Sequence, residues 1–286
     1  MSKTARHGVS VIIPTWNSVS TLEGAITSCL SQTIMPSEIL VCDDGSDDAS
    51  MPLVVSFGGI VKWLPGDRSG GPARPRNRGI ESSSGEWLAF LDSDDEWAPT
   101  KLEEQLGFMQ KRNVLACSTN AARRVNGRIT GEDLVVWNKP VLTYKDLLRT
   151  NTIVCSSMMV HYSFVQKIGL FNEDPRLYED YEYWLRVASW TSVGFIDKQL
   201  AIYSDMPDLS LRARKSASDQ AHALTEKAYM HYLLVRLVSE PAKIQASGIL
   251  LLLIGRRLFS PVKTLHKAVR RTVKHLLMVA GKKGKV

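Results

Sequence analysis

The sequence is poor in cysteine, and its few cysteines are widely spaced. It has four cysteines among 286 residues and no pair in a CxxC arrangement. This pattern argues against a disulfide-built scaffold or a zinc ribbon and favours reduced thiols in a cytosolic core. The first 17 residues also lack the long apolar segment of a signal peptide, so we expect a cytoplasmic protein.

Several motifs of well-known enzyme classes are missing. The chain has no GxxxxGK[ST] string, no GxGxxG after its first apolar run, and no GxSxG. The sequence therefore predicts neither a P-loop nor a dinucleotide-binding turn, and it offers no evident nucleophile for covalent catalysis.

Acidic residues are absent from the last part of the chain. Residues 241–286 contain eleven Lys and Arg and no Asp or Glu, whereas the rest carries 25 basic and 29 acidic residues. The net charge of +7 is thus a property of the tail. A basic protein suggests a nucleic-acid partner, but the main body here is mildly acidic, so we expect none.

Apolar runs alternate with helical periodicity along the first 200 residues. The runs at 9–13 and 39–42 flank a helical pattern at 17–32, which predicts a right-handed βαβ unit with parallel strands. Further strands are predicted at 61–64, 87–91, 114–117 and 153–160, and further helices at 76–83, 101–112 and 181–189. We predict an α/β fold whose ligand site lies beyond the carboxyl ends of the strands.

Acidic clusters follow two of the predicted strands. Asp43 and Asp44 end one, and Asp92 and Asp94 follow another, so all four should face a common crevice. Like charges are brought together at low cost only when a cation or ligand donors compensate them, and carboxylate oxygens suit Mn²⁺ or Mg²⁺. The neighbouring acids are interpreted as turn and cap residues: Asp47, Asp48 and Asp95.

Two other segments carry candidate binding or catalytic groups. The Gly- and Pro-rich loop at 66–75 leads to arginines near a helix start, an arrangement suited to an anionic ligand. Glu179 and Asp180 open a helix among aromatic residues. Such acids either complement the helix dipole or act as a general base, and the residues alone leave both readings open.

Five motifs, in this order, resemble family 2 glycosyltransferases, which are inverting enzymes with the GT-A fold. The motifs are VIIPTWN at 11–17, VCDDGS at 41–46, ARPRNRG at 73–79, LDSDD at 91–95 and EDYEYW at 179–184. The resemblance covers residues 8 to 205. It implies a GT-A nucleotide-binding domain built on a mostly parallel sheet flanked by helices.

The resemblance also implies a role for each matching residue. Asp180 matches the catalytic base, Asp94 matches a metal ligand, and Asp92 is implied both at the ribose and at the metal. The remaining matches are implied to bind the nucleotide: Pro14, Thr15, Trp16, Asn17, Asp43, Asp44 and Arg76. Mn²⁺ or Mg²⁺ is the implied cofactor, and the implied donor is a nucleotide sugar, expected to be UDP-linked.

The chain departs from the family pattern in two places. Where the family often has Arg and then His, which can assist the metal or the diphosphate, this chain has Ser204-Asp205-Met206-Pro207. The QxxRW motif of processive polysaccharide synthases is absent, which favours single addition to a lipid-linked or growing glycan acceptor in polysaccharide biosynthesis.

We predict a catalytic domain at 1–215 and a helical, basic extension at 216–286. Within the extension, apolar residues recur at helical spacing between 258 and 277, interleaved with Lys and Arg. This predicts a basic amphipathic helix on an anionic membrane surface, with the protein peripheral on the inner face of the cell membrane. The alternative is a helix packed on the catalytic domain with a solvated basic face.

Two other functions fit part of the sequence. A sugar-phosphate nucleotidyltransferase also uses an α/β sheet and a metal, but its Gly-rich loop should follow the first strand, where this chain has Pro14-Thr15-Trp16-Asn17. A membrane- or nucleic-acid-binding adaptor explains the basic tail and leaves the acidic clusters unexplained.

Overall fold

The structure is a computed structural model that describes residues 6–174, 176–205 and Thr225. The strands are β1 (Val9–Thr15), β2 (Glu38–Asp43), β3 (Val61–Leu64), β4 (Trp87–Phe90), β5 (Glu96–Trp97), β6 (Ala116–Val125), β7 (Arg128–Asp133), β8 (Val141–Leu142), β9 (Met159–His161) and β10 (Val193–Asp205). The helices are α1 (Val19–Leu30), α2 (Ser50–Phe57), α3 (Ala73–Ser82), α4 (Lys101–Arg112), α5 (Tyr144–Leu147), α6 (Ser163–Ile168) and α7 (Glu179–Ala188), with a 3-10 turn at Cys155–Ser157.

The strands form one ten-stranded, mostly parallel sheet. Its main order is β3-β2-β1-β4-β9-β6-β10-β5, with β7 on β6 and β8 on β10. The pairs β1–β2, β2–β3, β1–β4 and β6–β10 are parallel, and β9 runs antiparallel between β4 and β6. Six strands therefore point the same way and present their carboxyl ends at one edge. The predicted α/β architecture is confirmed.

Helices cover both faces of this sheet, which explains why the central strands are apolar throughout. On one face, Val11 and Ile13 belong to the same core as Ile26 of α1. On the other face, α3 packs closely on β1 and β2, since a Cβ at Gly79 would lie 2.7 Å from Cys42 Sγ and 2.7 Å from Ile12 Cγ2. The absence of a side chain at Gly79 lets α3 approach the sheet.

An aromatic cluster positions α7 against β4. Phe171 stacks on Tyr183 with ring centroids 4.0 Å apart, and Phe90 of β4 meets Trp184 edge-on at 5.6 Å. Edge-to-face and offset arrangements of this kind stabilise aromatic pairs beyond the area they bury. The cluster therefore fixes the start of α7, and with it Glu179 and Asp180, beside the edge of the sheet.

The elements differ from the sequence predictions at several points. α3 begins at Ala73 rather than at residue 76, because Pro75 is tolerated in a first turn, where its missing N–H has no helical partner. The strand predicted at 153–160 is interrupted by a 3-10 turn at Cys155–Ser157, and only Met159–His161 joins the sheet. Helix α2 and strand β10 were not predicted.

The predicted extension at 216–286, with its proposed membrane contact, lies outside the described residues apart from Thr225. Among the described residues, no helix is both long enough and apolar enough to cross a bilayer.

Candidate active site

The loops after β1 and β2 are joined by the side chain of Asn17. Its Nδ2 donates to Asp47 Oδ1 at 2.7 Å, and its Oδ1 accepts from the Asp47 backbone N–H at 2.9 Å. Asn17 has a φ of 48°, a left-handed conformation that asparagine tolerates better than most residues. Asn17 thus holds the two loops together, and Asp47 lies in the turn where the sequence places it.

Asp43 and Asp44 are both buried, and both carboxylates are occupied by protein donors. Asp43 accepts from the backbone N–H of Gly45 at 3.1 Å and of Ser46 at 3.0 Å, which closes its own turn. Asp44 accepts from the backbone N–H groups of Ser69 and Gly70, from the Ser69 hydroxyl, and from the Arg68 guanidinium. Asp44 therefore anchors the loop at 68–70.

Trp16 forms an exposed aromatic surface beside these loops. Its side chain is 46% exposed, and the Arg68 guanidinium carbon lies 3.7 Å from the ring centroid. Because Asp44 holds the Arg68 guanidinium, Arg68 and Trp16 form a stacked cation–π pair at the mouth of the site. Pro14 and Thr15 are buried at the end of β1, and the Thr15 carbonyl accepts from the Asp44 N–H at 2.8 Å.

Arg76 of α3 connects two segments that are far apart in sequence. Its buried guanidinium donates to Asp92 Oδ1 at 2.6 Å and to Glu179 Oε1 at 2.9 Å. Burial opposes the charged form, yet the groups around it, Cys155, Asp92 and Glu179, hold the pKa of Arg76 well above its usual value. Arg76 therefore stays charged and ties the loop after β4 to the first turn of α7.

Asp94 lies beside Asp92 on the loop after β4. Burial, and then the neighbouring charge of Asp92, raise the pKa of Asp94 to about 6. No hydrogen bond from another residue reaches this carboxylate within the described part of the chain. A cation bound here would relieve both the repulsion and the desolvation.

These two carboxylates fit a cation that is shared with a substrate. Among the described residues, no group of three or more His, Cys, Asp or Glu side chains is arranged to hold a metal ion. Mg²⁺ and similar ions commonly use one or two carboxylates and complete their shell with water and substrate phosphates. The donor set of Asp92 and Asp94 therefore suits that arrangement and not an all-protein metal cage.

Asp180 lies at the start of α7, close to the Arg76 bridge. Burial and the adjacent charge of Glu179 raise its pKa to about 6, although Arg76 acts in the opposite direction. Its Oδ1 accepts from the Tyr181 backbone N–H at 2.7 Å. A carboxylate with such a pKa is ionised at neutral pH and more basic than an ordinary Asp, which suits a general base.

Direct contacts link the predicted residues into one region. Arg78 of α3 donates to the Asp43 carbonyl, while Ser18 after β1 and Ser93, which stands between Asp92 and Asp94, share a hydrogen bond of 2.8 Å. Asp92 also influences the pKa of both Asp94 and Asp180. The acids predicted to share a crevice therefore lie at the same edge of the sheet.

Sequence reasoning missed several residues that shape this region. Arg68 and Ser69 carry no motif of their own, and the signal was only that they lie in a Gly- and Pro-rich loop. Glu179 was noted as an acid at a helix start, without its partner Arg76. A small cavity beside the start of α3 is lined by Ser69, Gly71, Pro72, Ala73, Arg74, Glu173, Asp174 and Glu179.

Comparisons with known proteins identify the family and the fold. The family model described as "Glycosyl transferase family 2" matches residues 10–168. A similar curated protein is the Escherichia coli UDP-Glc:alpha-D-GlcNAc-diphosphoundecaprenol beta-1,3-glucosyltransferase WfgD, 33% identical over 191 residues, which cover 66% of this chain and 73% of that one. An uncharacterized glycosyltransferase of Rickettsia felis is 33% identical over 208 residues, which are 70% of this chain but only 34% of that longer protein.

A solved structure supports the fold. The crystal structure of S. aureus TarS 1-349 in complex with UDP aligns with a TM-score of 0.59 at 20% identity, over 92% of this chain and 78% of that one. This likeness supports the GT-A architecture. The family match spans more than half of the chain and includes β1 to β4, with the acidic loops that follow β2 and β4. The chain belongs to glycosyl transferase family 2, and it is a glycosyltransferase.

Proposed function

We propose that this chain transfers a single sugar from a UDP-sugar to a hydroxyl of a lipid-linked or growing glycan, with inversion at the anomeric carbon. The observation that carries the proposal is the Arg76 bridge, because it places the Asp92–Asp94 loop next to Asp180. A UDP-linked donor and a diphosphoundecaprenol acceptor appear in the name of the relative WfgD, which supports the same substrate classes here.

The nucleotide would bind at the β1 and β2 loops. Trp16 offers an aromatic face for the base, and the Asp43 carboxylate retains lone pairs that can accept from a base N–H. Pro14, Thr15 and Asn17 would shape this end, with Asn17 acting through the link to Asp47. Asp44 would act indirectly, by anchoring Arg68 over the indole.

The diphosphate would meet the Asp92–Asp94 loop. We assign Mn²⁺ or Mg²⁺ to these two carboxylates, and such an ion neutralises a diphosphate leaving group when it is bound. Arg76 is held by Asp92 and Glu179 and offsets part of their negative charge at this end of the site, which lowers the repulsion of an anionic ligand. Asp92 would contribute in addition to ribose binding.

Asp180 would serve as the general base. It would take the proton from the acceptor hydroxyl while that oxygen forms a bond to the anomeric carbon, opposite the bond to the departing diphosphate. One displacement inverts the centre, so the reaction needs one base and no protein nucleophile. The raised pKa of Asp180 supports this role, because a base is most effective when its pKa lies near the working pH.

We further propose that the enzyme works in polysaccharide biosynthesis on the cytoplasmic side of the membrane, with the basic extension at 216–286 in peripheral contact with anionic lipids. The eleven basic residues at 241–286, unbalanced by any acid, support this contact. No nucleic-acid partner is proposed, because the main body is mildly acidic.

A donor screen with the purified chain tests the proposal. UDP release is measured with several UDP-sugars and a lipid-linked acceptor, in Mn²⁺, in Mg²⁺ and in a chelator. Asp180→Asn should lower kcat about 100- to 10,000-fold, the usual contribution of a general base. UDP binding, measured by calorimetry, should change little, because Asp180 does not contact the proposed nucleotide loops.

Glu86→Gln is the matched control. Glu86 immediately precedes β4, at the amino end of that strand, where it pairs with His161. This variant should keep wild-type turnover. Normal turnover by Asp180→Asn would contradict the base assignment, and release of pyrophosphate in place of UDP would indicate a nucleotidyltransferase.

A further inference from the structure

The turn that carries Asp92 and Asp94 is closed by a hydroxyl from another segment. Ser156, on the 3-10 turn, accepts from the Asp92 backbone N–H at 3.0 Å and donates to the Asp95 carboxylate. The turn itself is short, with the Asp95 N–H bonded to the Asp92 carbonyl at 3.1 Å. One hydroxyl therefore contacts both the first and the fourth residue of the turn.

Ser156 is itself held firmly in place. It is fully buried, and its carbonyl accepts from Trp97 Nε1 at 2.7 Å. The neighbouring Ser157 carbonyl accepts from Gln105 Nε2 at 2.9 Å, and the Met158 carbonyl accepts from the Phe90 N–H at 3.1 Å. A buried hydroxyl on such a backbone has little freedom, so it can define the position of the turn that it touches.

The turn needs a restraint of this kind because it concentrates negative charge. It has three carboxylates in four residues, and like charges at this spacing repel one another. The Asp95 carboxylate is 1% exposed and also accepts from the Ser204 N–H at 2.7 Å. These donors hold Asp95 away from the site, which leaves Asp92 and Asp94 to face a ligand.

We propose that Ser156 is a positioning residue, which sets the geometry of Asp92 and Asp94 and thereby the affinity for a nucleotide diphosphate in the presence of a divalent cation. This inference rests on the proposed function. Ser156 acts through the turn and touches no substrate. Its contribution should therefore appear only when the cation and the diphosphate are both present.

Calorimetric titration with UDP tests the inference, with and without Mn²⁺. Ser156→Ala removes the hydroxyl and should raise the Kd of UDP about tenfold in Mn²⁺, and less than about twofold in a chelator. Asp95→Asn replaces one of the two acceptor oxygens with an amide and should act in the same direction. The double variant should be less impaired than the product of the single effects, because both changes break the same contact.

Ser157→Ala is the matched control. Ser157 is also buried, but its hydroxyl donates to the Val154 carbonyl at 2.8 Å and does not contact the turn. It should bind UDP like the wild type in both conditions. If Ser156→Ala and Ser157→Ala have the same Kd for UDP in Mn²⁺, the inference is overturned and the proposed function is not affected. Failure of the wild-type chain to bind UDP would overturn both the proposed function and the inference built on it.

Discussion

The two ends of the site treat their carboxylates in opposite ways. At the β1 and β2 loops, Asp43 and Asp44 are buried, and each accepts several hydrogen bonds from neighbouring backbone and side-chain donors. At the other end, Asp94 receives none from another described residue, and Asp180 receives one, from the Tyr181 N–H. Both of these have a pKa raised to about 6.

This difference separates a preformed end from an end that awaits a ligand. Carboxylates that already accept several hydrogen bonds from the protein stabilise the loops around them before any ligand binds. Half-buried carboxylates that lie close to other acids, such as Asp94 and Asp180, are held at a free-energy cost, which persists where the surrounding structure supports it and function uses it. We call the loops with Asp43 and Asp44 the nucleotide end of the site, and the part with Asp94 and Asp180 the transfer end. We infer that the nucleotide end is rigid before binding, whereas the transfer end is completed by the diphosphate and its cation.

The largest expected effect comes from breaking the Arg76 bridge. Arg76→Met should lower the free energy of unfolding by about 3–5 kcal/mol, because it leaves Asp92 and Glu179 beside each other without the buried cation between them. Urea denaturation followed by circular dichroism measures the change. The transfer end would then be the part of the site whose stability depends on charge compensation.

Arg74→Met controls for the loss of a guanidinium from the same helix. Arg74 pairs with Glu173, but the two side chains are 55% and 43% exposed. An exposed pair of this kind contributes about 0–1 kcal/mol. Similar destabilisation by both variants would show that the buried Arg76 bridge stabilises the protein no more than the exposed Arg74–Glu173 pair does.

A smaller effect is expected on the acidic limb of the pH profile. Protonation of Asp180 removes the base, so kcat/KM of the wild type should fall as the pH drops through about 6. Glu179→Gln keeps an acceptor for Arg76 but removes the charge that helps to raise the Asp180 pKa. The limb should move to lower pH, so that at pH 5 the variant keeps a larger fraction of its maximal rate than the wild type does.

The control for this shift is Glu173→Gln, which removes a charge from the surface segment before α7. Glu173 is held by Arg74 and Asn77, whereas the charges that act on the pKa of Asp180 are those of Glu179, Arg76 and Asp92, so the limb should not move. A Glu179→Gln profile that coincides with the wild-type profile, or that moves to higher pH, would contradict the assignment of the limb to Asp180.

Local sequence patterns predicted much of the fold. Strands β1, β2 and β4 form at the predicted apolar runs, although β1 continues through Pro14 to Thr15, and α4 runs from Lys101 to Arg112 as its periodicity predicts. Strand β10 was missed because bulges between Ile196 and Ala201 interrupt its pairing with β6 and its alternation. The 3-10 turn was predicted as strand because the residues at 153–160 are mostly apolar. The hydrogen bonds of its buried Ser156 go to other segments and leave no local pattern in the sequence.

The candidate site was likewise predicted only in part from local sequence patterns. The positions of Asp92 and Asp94 follow from a rule about strand ends, so the sequence indicates them directly. The partner of Glu179 is Arg76, 103 residues earlier, and no local pattern reports a contact of that range. The hydrogen bonds of Asp44 to residues 68–70 were hidden for the same reason. The roles assigned to these residues stay predictions.

The smallest effect should come from the preformed end. Asp44→Asn replaces one acceptor oxygen with a donor amide that faces other donors, so the loop at 68–70 loosens and Arg68 no longer stacks firmly on Trp16. KM for the UDP-sugar should rise about threefold to tenfold, a loss of roughly 1 kcal/mol of binding. Because the groups that perform the transfer are untouched, kcat should stay within about twofold. Asp67→Asn, an exposed position in the same loop, should change neither parameter. A fall in kcat with an unchanged KM would erase the distinction between the two ends, since it would place Asp44 in the chemical step.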